Sequence, residues 1–521
     1  MSWLAPMAAT LPGMGSKARP AVAAQRWFQR GVRAANTGDL AAAEHAYHNA
    51  IAAKPDFSEA HTNLGTTLQL QGRLAEAQAA YRAATTFDPG NANAHANLGS
   101  VCCALGELDQ AETFYRRAIE LDSRVAHHHA GLGAVLHAQQ HYVAASQALA
   151  VAIALAPMWS DPRRALGFAL FRGGDHAAAV DACLAALALD SDDPTTHSVL
   201  GLALTELGHI DAAAVQLARV VELQPTSSTA HTNLGMALDR LERTEDAAES
   251  YRAAVQADGT NVPALLNFAG SMMRLGRIAE ATGAYRAVLA VNPDEPSAAH
   301  LVAALTGENT TTAPAGYVRA LFDDTATKFE THLRGLDYSA PTTIRRCLET
   351  AAESPLSRLL DIGCGTGMVG AEVRPLTAEL CGVDLSSGMI AQAREQGHYD
   401  HLHVADVVDY LRAATDQFDA ATAGDVLIYL GDLSPVMAAL RARLRAGGLF
   451  VFSIENGEGT WQLTPSGRYT HGNTYVATVA QENGFELVAH DATVLRHEHG
   501  APVEGSIFTF RLGDDAAPPP S

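Results

Sequence analysis

The chain has 521 residues, 48% of them hydrophobic, and a formal net charge of −21 at pH 7. This length predicts about three domains, and the apolar content is sufficient for a large core. Because an acidic surface repels phosphates and no run of Lys or Arg offsets it, we exclude nucleic acid as an expected partner.

Cysteine usage and hydropathy indicate the cellular environment. Six cysteines occur without a C-x-x-C pair or a His/Cys cluster of zinc spacing, which predicts free thiols and no metal site. Residues 1–20 lack a charged start followed by an apolar run, and no apolar stretch is long enough to cross a bilayer. We therefore expect a cytoplasmic protein without membrane contact, with disordered residues at 1–23 and 514–521.

Small residues recur every 34 residues between Ala24 and Glu295. Two of the series are glycine and one is alanine. In the second glycine series, Gln140 and Glu242 take the place of glycine. The series are Gly31, Gly65, Gly99, Gly133, Gly167, Gly201 and Gly235; Gly38, Gly72, Gly106, Gly174, Gly208 and Gly276; and Ala43, Ala77, Ala111, Ala145, Ala179, Ala213, Ala247 and Ala281.

This period resembles the tetratricopeptide repeat, a helix–turn–helix unit of 34 residues. The resemblance implies an all-α solenoid of eight repeats over residues 24–295. Residues 296–306 are apolar on one face and predict a capping helix. Residues 307–315 are polar and predict a linker to the rest of the chain.

Four asparagines stand two positions before the first glycine series: Asn63, Asn97, Asn233 and Asn267. In tetratricopeptide arrays this position lines the concave surface, so the resemblance implies binding of an extended peptide from a protein partner. A solvated polar face explains the same residues, and the series is interrupted in its middle by Gly131, Ala165 and Val199.

Histidines fill the position four residues before several of those glycines, where the family often has Trp, as Trp27 here. They are His61, His95, His197 and His231. We interpret them as packing residues rather than metal ligands.

From residue 316 to 513 the pattern changes to strands that alternate with helices. Seven strands and four helices are predicted, which indicates a Rossmann-like α/β domain. The strands are expected near 358–362, 379–384, 401–405, 418–424, 449–454, 485–494 and 506–511, and the helices at 367–374, 386–396, 433–445 and 472–483.

The most informative segment is Leu359-Leu-Asp-Ile-Gly-Cys-Gly-Thr-Gly367, an apolar strand followed by three alternating glycines. A second strand ends at Asp384, where a carboxylate can accept hydrogen bonds from ribose hydroxyls. Gly365, Gly367 and Gly370 also fit the G-x-G-x-x-G pattern of dinucleotide enzymes. That alternative leaves Asp361 and Gly363 unused.

The full D-x-G-x-G-x-G pattern resembles motif I of class I S-adenosylmethionine-dependent methyltransferases. The resemblance implies that Asp384 holds the ribose, that the 363–367 backbone contacts the methionine portion, and that Asp361 orients this loop or binds the amine. Asp406 would meet the adenine. The implied cofactor-binding residues are Asp361, Gly363, Cys364, Gly365, Gly367, Asp384, Leu385, Met389, Asp406, Val407 and Asp425.

Two further segments are assigned through the same resemblance. Residues 317–324, with Phe329 and His332, look like the helix that closes over the cofactor, although Thr325 stands where an aromatic residue is usual. Residues 461–471 lie where this family binds its substrate, with Arg468 and Tyr469 as candidate substrate ligands. His471 and Tyr429 are candidates for proton transfer. A plainer interpretation has Arg468 paired with a surface carboxylate and His471 capping the next helix.

Three functions remain open at this point. The array recruits a protein that the second domain methylates, or the enzyme acts on a small molecule and the array serves assembly. In the third, the chain is a scaffold that binds the cofactor without catalysis.

Overall fold

The computed structural model describes residues 18–323, 325–326, 329–498 and 500–513. The chain divides into two compact units, with the boundary between Ala257 and Asp258. The predicted disordered tail 514–521 and residues 1–17 lie outside the described residues. Residues 18–23 were expected to be disordered, but they form the start of the first helix.

The described part of the first unit is entirely helical. Consecutive helices pair within each predicted repeat. The helices are α1 (Ala18–Asn36), α2 (Leu40–Ala53), α3 (Ser58–Leu70), α4 (Leu74–Phe87), α5 (Ala92–Ala104), α6 (Leu108–Leu121), α7 (Ala126–Ala138), α8 (Tyr142–Leu155), α9 (Ser160–Arg172), α10 (His176–Leu187), α11 (Pro194–Glu206), α12 (Ile210–Leu223), α13 (Ser228–Arg240) and α14 (Thr244–Ala257).

The periodic glycines have two different physical roles. A Cβ on Gly65 would lie 2.7 Å from Cε1 of Tyr81, so the first series lets paired helices approach closely. Gly72 has φ +78° in the turn between the helices, and Gln140 and Glu242 adopt φ 64° and 59° at the equivalent positions. These two side chains are held in a backbone region that favours glycine.

The periodic histidines bind backbone. Nε2 of His61 lies 2.8 Å from the carbonyl oxygen of Pro55, and His197 makes the same contact with Ser191 at 2.9 Å. His95 and His231 contact Pro89 and Pro225 at 3.2 and 3.0 Å. Each ring thus ties a first helix to the end of the preceding loop. A packing role for these histidines stays a prediction. Among the described residues, no group of His, Cys, Asp and Glu is suited to a metal ion.

The second unit begins with one more helix pair and then becomes α/β. Its helices are α15 (Val262–Arg274), α16 (Ile278–Val291), α17 (Pro296–Thr306), α18 (Ala315–Asp323), α19 (Phe329–Gly335), α20 (Ala340–Ala351), α21 (Met368–Val373), α22 (Ser387–Gln396), α23 (Val407–Ala413), α24 (Ser434–Arg441) and α25 (Asn473–Glu482). Its strands are β1 (Leu356–Ile362), β2 (Thr377–Asp384), β3 (His401–Val404), β4 (Phe418–Ala423), β5 (Leu444–Asn456), β6 (Trp461–Leu463), β7 (Tyr469–His471), β8 (Phe485–Glu498) and β9 (Ala501–Leu512).

The sheet has parallel strands in the order β3-β2-β1-β4-β5. Strand β9 adds antiparallel to β5, and β8 pairs with β9. The seven predicted strands are therefore present. The hairpin β6–β7 was not predicted, because strands of three residues give too short an alternation; β7 pairs with the last two residues of β5. Helices α20 and α23 were also missed.

The segment predicted as a linker is fixed to the α/β part of the second unit. The carbonyl oxygen of Thr311 accepts hydrogen bonds from the amides of Gly431 and Asp432 at 3.0 and 2.9 Å. The side chain of Asn309 donates to the Trp461 carbonyl at 2.7 Å and accepts from the Leu463 amide at 2.8 Å. The polar composition of residues 307–315 led to the linker prediction. In the structure these polar groups form the hydrogen bonds that hold the segment to the α/β part.

Within the described residues, no helix is both long enough and apolar enough to cross a membrane. All six cysteines are free thiols.

Candidate active site

A cavity of about 550 Å³ lies at the carboxyl ends of β1, β2 and β4. Its floor is formed by the loops after these strands, and residues of α18 and α19 cover it. The cavity lies wholly within the second unit. Parallel strands place their carboxyl ends at one edge of the sheet, where ligands bind in doubly wound folds.

The glycine loop after β1 exposes its backbone to the cavity. Gly363 and Gly365 have φ of 60° and 54°. A Cβ on Gly363 would lie 2.2 Å from Cγ2 of Val426, whereas a Cβ on Gly365 would meet nothing closer than Phe329, at 3.9 Å. Gly363 is therefore required by packing. The open space beside Gly365 lets a ligand lie against the chain.

Asp384 lies beside this loop at the end of β2. One carboxylate oxygen accepts the amide of Gly365 at 2.9 Å and the other accepts the amide of Ser386 at 2.8 Å. Burial raises the pKa of Asp384, while these backbone bonds act in the opposite direction. Each carboxylate oxygen retains a lone pair, so Asp384 can still accept from ligand hydroxyls in the cavity.

Asp361 is fully buried under the loop and is not among the residues that line the cavity. Its oxygens accept from the hydroxyls of Tyr399 at 2.6 Å and Thr422 at 2.9 Å. Burial raises the pKa of Asp361 to about 7. Of the two roles predicted for Asp361, this placement fits orientation of the loop.

Tyr399 occupies the space that neighbouring glycines leave. A Cβ on Gly370 would lie 2.2 Å from its hydroxyl, and a Cβ on Gly382 would lie 2.9 Å from its ring. A Cβ on Gly367 would approach the same ring to 3.2 Å. Gly367 does not line the cavity, so its motif position is explained by packing against Tyr399 and by its φ of 104° at the start of α21.

The remaining predicted cofactor residues line the cavity as a group. They are Cys364, Leu385, Met389, Asp406, Val407 and Asp425. Asp406 caps α23, because its Oδ1 accepts the amides of Val408 at 2.9 Å and Asp409 at 3.2 Å. Within the described residues both of these bonds go to Oδ1 and none goes to Oδ2, so Oδ2 is available to a ligand amine.

Helix α18 is held over the cavity by a carboxylate. Oδ1 of Asp323 accepts from the Ser386 hydroxyl at 2.5 Å and the Gly388 amide at 3.1 Å, at the start of α22. These bonds lower the pKa of Asp323, with the Ser386 bond the largest cause. Phe322 packs edge-to-face on Phe329 and Tyr429, with centroids 5.7 and 5.5 Å apart. Asp324 of the predicted lid segment lies outside the described residues.

Family models match both units. Two models of the tetratricopeptide repeat match the chain. One matches residues 28–92 and 199–262, and the other matches residues 68–130 and 240–305. A model described as a methyltransferase domain matches residues 360–450, which include the glycine loop and Asp384.

The chain joins a tetratricopeptide repeat array to a methyltransferase domain.

Curated relatives match the methyltransferase part. A ubiquinone biosynthesis O-methyltransferase from Thiobacillus denitrificans is 30% identical over 115 residues, covering 21% of this chain and 50% of that protein. A malonyl-[acyl-carrier protein] O-methyltransferase from Pseudescherichia vulneris is 28% identical over 166 residues, covering 31% of this chain and 63% of that protein. The chain thus spans about half to just under two thirds of the length of these relatives.

Solved structures resemble each part separately. YrrB, a tetratricopeptide repeat protein with an unusual peptide-binding site, is 26% identical over 36% of this chain and 95% of its own, with a TM-score of 0.33. Magnesium protoporphyrin IX methyltransferase from Synechocystis PCC 6803, crystallised with bound SAH, is 16% identical over 38% of this chain and 98% of its own, with a TM-score of 0.31.

Two residues that the sequence suggested for catalysis and substrate binding in the methyltransferase domain lie outside the cavity. His471 is fully buried, and its Nε2 contacts the carbonyls of Leu430 and Gly431 at 2.8 and 3.1 Å. Tyr469 is also fully buried and shares a 2.5 Å hydrogen bond with Thr310. Alternation along β7 turns both side chains into the core, so neither keeps its predicted role.

Tyr429 and Arg468 do line the cavity. Burial raises the pKa of the Tyr429 phenol well above its usual range, so this hydroxyl is neutral at pH 7. Nε of Arg468 donates to Glu455 at 2.8 Å and Nη2 donates to Glu498 at 2.8 Å. Arg468 was a candidate substrate ligand, but its guanidinium is already paired with two carboxylates.

The sequence missed most of a charged cluster on this wall. Arg496, which is 4% exposed, is ion-paired with Asp425, Glu455 and Glu498. Arg496 and Glu498 are separated from the glycine motif by more than 100 residues and lie near the end of β8, where no motif marks them. One sequence signal could have pointed to Arg496. If the alternation of β8 places this Arg on the buried face of the strand, it needs carboxylate partners there.

The asparagines of the repeat array are half-buried, and they divide between the two units. Asn63, Asn97 and Asn233 belong to the first unit and Asn267 to the second.

Proposed function

We propose that the second unit is a class I methyltransferase that uses S-adenosylmethionine as methyl donor. The observation that supports this most is the open backbone at Gly365 beside the carboxylate of Asp384, at the edge of a sheet with the order β3-β2-β1-β4-β5. A matching dinucleotide site would need its first glycine at Gly365, and it would leave the buried Asp361 without a role.

The described residues fit this donor. Asp384 would accept from the ribose hydroxyls, Oδ2 of Asp406 would accept from the adenine amine, and the 363–365 backbone would contact the methionine portion. Leu385, Met389 and Val407 supply apolar surface for the purine. When bound, the donor supplies an activated methyl group on a sulfonium. Helices α18 and α19 exclude water and Phe322 closes the cavity from above.

We further propose that the repeat array recruits a protein partner, with Asn63, Asn97 and Asn233 binding an extended peptide. Tetratricopeptide repeats support protein–protein interaction in general. The relatives fit two acceptor types, since one is named for ubiquinone biosynthesis and the other for a malonyl group on a carrier protein. A small-molecule acceptor, with the array serving assembly, is therefore the second candidate.

Calorimetry with S-adenosylhomocysteine tests the donor assignment. Asp384→Ala removes the ribose hydrogen bonds and should cost about 1–3 kcal/mol of binding, roughly a fivefold to 150-fold loss. Asp294→Ala removes the same charge from an exposed position outside the cavity and should leave the affinity unchanged. Tight binding of NAD without binding of S-adenosylhomocysteine would contradict the proposal.

Incubation of a cell lysate with methyl-labelled donor separates the remaining alternatives. Label on protein supports recruitment of a protein acceptor, and label on small molecules supports the second candidate. Donor binding without any label would identify a cofactor-binding scaffold.

A further inference from the structure

The acceptor side of the cavity is mainly apolar. Beyond the residues assigned to the donor, the cavity wall is mainly aliphatic. It is formed by Val318 and Leu321 of α18, Leu333 of α19, Leu336 directly after α19, and Ile428 after β4. Burial of an apolar ligand surface against such a wall is favourable. A charged group placed there would lose its hydration and gain no hydrogen bond or ion pair in return.

The polar corner of this wall has no free cation among the described residues. Arg468 and Arg496 face three carboxylates, Asp425, Glu455 and Glu498. Burial raises the pKa of Asp425 even though Arg496 acts against it. The cluster therefore carries either no net charge or one surplus negative charge, and an anionic ligand would be repelled or left without a partner.

A cation is no better accommodated at this corner, because its three carboxylates are already ion-paired with Arg468 and Arg496. Asp425 accepts from Ser453 and Arg496, and both oxygens of Glu498 accept from Arg468. An ammonium group would lose its hydration and gain only carboxylates that already pair with arginines. His332 also lines the cavity, but it lies on the exposed side of α19.

The wall also carries neutral hydroxyls. Tyr338 and Tyr429 line the cavity, as does Thr366, whose buried Oγ1 has no hydrogen-bond partner among the described residues. Burial raises the pKa of both phenols above the usual range. A neutral phenol can both donate and accept, so this pair matches a ligand hydroxyl, which does the same.

We propose that the acceptor side binds a neutral, mainly apolar molecule that presents a hydroxyl group, and that it excludes carboxylates, phosphates and ammonium groups. This inference rests on the proposed function, because the acceptor side is defined by where the donor binds. It favours an acceptor that is methylated on a hydroxyl group over one that is methylated on a carboxylate.

Three probes with the same apolar body test the inference: p-propylphenol, p-propylbenzoate and p-propylbenzylamine. Binding to the full chain is measured at pH 7 with saturating S-adenosylhomocysteine. The phenol is neutral at this pH, the benzoate is an anion and the benzylamine is a cation. We expect the phenol to bind about tenfold tighter than either charged probe. Equal or tighter binding of a charged probe, or no binding of the phenol, would overturn the inference.

Variants then identify the groups responsible. Glu498→Gln removes one of the three carboxylate charges that face Arg468 and Arg496, so benzoate binding should strengthen several-fold while phenol binding stays the same. Tyr429→Phe and Tyr338→Phe should each weaken phenol binding several-fold without changing benzoate binding. Glu482→Gln, at an exposed position on α25, is the matched control. Unaltered probe selectivity in all these variants would contradict the assignment.

Affinity for S-adenosylhomocysteine alone is measured first for every variant. If the wild-type chain does not bind it, the proposed function fails whatever the probes do. If it binds and the benzoate is preferred, only the inference about the acceptor fails.

Discussion

Glycine has different roles in the two units. The difference shows how far the structure of each unit is determined by residues that are close together in the sequence. In the first unit a Cβ on Gly235 would lie 2.5 Å from the ring of Tyr251, sixteen residues ahead in the same repeat. In the second unit a Cβ on Gly363 would clash with Val426, which lies on another strand's loop. Periodic sequence therefore specifies the array, whereas the site depends on contacts between distant segments.

The largest expected effect concerns the segment before the α/β part. Because Thr312 and Ala313 line the cavity and Asn309 binds the β6–β7 hairpin, a fragment starting at residue 316 should bind S-adenosylhomocysteine about a hundredfold more weakly than one starting at residue 258, or not at all. Calorimetry and thermal melts of both fragments check this. Equal affinities would show that residues 307–315 are a linker after all.

A second test compares two glycines of one loop. Gly363→Ala combines a positive φ with a 2.2 Å clash and should lower the free energy of unfolding by about 3 kcal/mol. Gly365→Ala adds no clash and should cost about 1 kcal/mol, while its methyl group enters the cavity and weakens donor binding. Urea denaturation gives the first quantity and calorimetry the second. Similar destabilisation by both changes would mean that Val426 moves aside.

The two units should also respond to pH with opposite signs. Burial raises the pKa of Asp361 to about 7, so the folded second unit keeps a proton that the unfolded chain releases near pH 4. This stabilisation is complete below about pH 4 and is lost as the pH rises through about 7. Hydrogen bonds from Arg73 lower the pKa of Glu44 in the first unit, so its contribution is present above about pH 4 and is lost as the pH falls.

Urea midpoints measured from pH 5 to 8 check the first of these signs. Relative to Asp361→Asn, the wild-type chain should lose stability as the pH rises in this range. Glu44→Gln should change the stability by a constant amount there and alter its pH dependence only in more acidic solution. A constant difference in stability between the wild-type chain and Asp361→Asn from pH 5 to 8 would show that Asp361 is ionised in the fold.

Recruitment by the array and donor binding by the second unit are proposed functions that can be tested separately. Replacing Asn63, Asn97 and Asn233 together by Ala should reduce labelling of protein several-fold at dilute lysate and leave the affinity for S-adenosylhomocysteine unchanged, since tethering acts through effective concentration. Asn49→Ala, whose side chain bonds to the His45 carbonyl within α2, is the control. Unchanged labelling would remove these asparagines from the recruitment surface.

The smallest effect is a gain in stability within the array. Gln140→Gly and Glu242→Gly relieve side chains held at φ 64° and 59°, and each should raise the free energy of unfolding by up to about 1 kcal/mol. Gly72→Gln makes the reverse change in an equivalent turn and should lower it by a similar amount. Chemical denaturation of the three variants checks both directions, and a loss of stability in the glycine variants would contradict the strain argument.

The sequence alone determined the helical array, because each repeat contacts its neighbours at a fixed spacing and a 34-residue period is visible without any fold. It also predicted the parallel sheet and the donor end of the cavity. Gly363, Gly365 and Asp384 are close to strand ends, and the ends of adjacent parallel strands must meet at one edge.

Only the tertiary structure decided which side chains face the cavity. His471 and Tyr469 looked suitable in the sequence, but a one-residue difference in strand register determines whether a side chain points into a cavity or into the core. Arg496, Glu498 and Tyr399 come to the site from elements distant in the chain and carry no motif. The supposed linker forms part of the cavity wall because the Thr311 carbonyl and the Asn309 side chain find hydrogen-bond partners on distant segments. The periodicity of the sequence does not reveal such pairings.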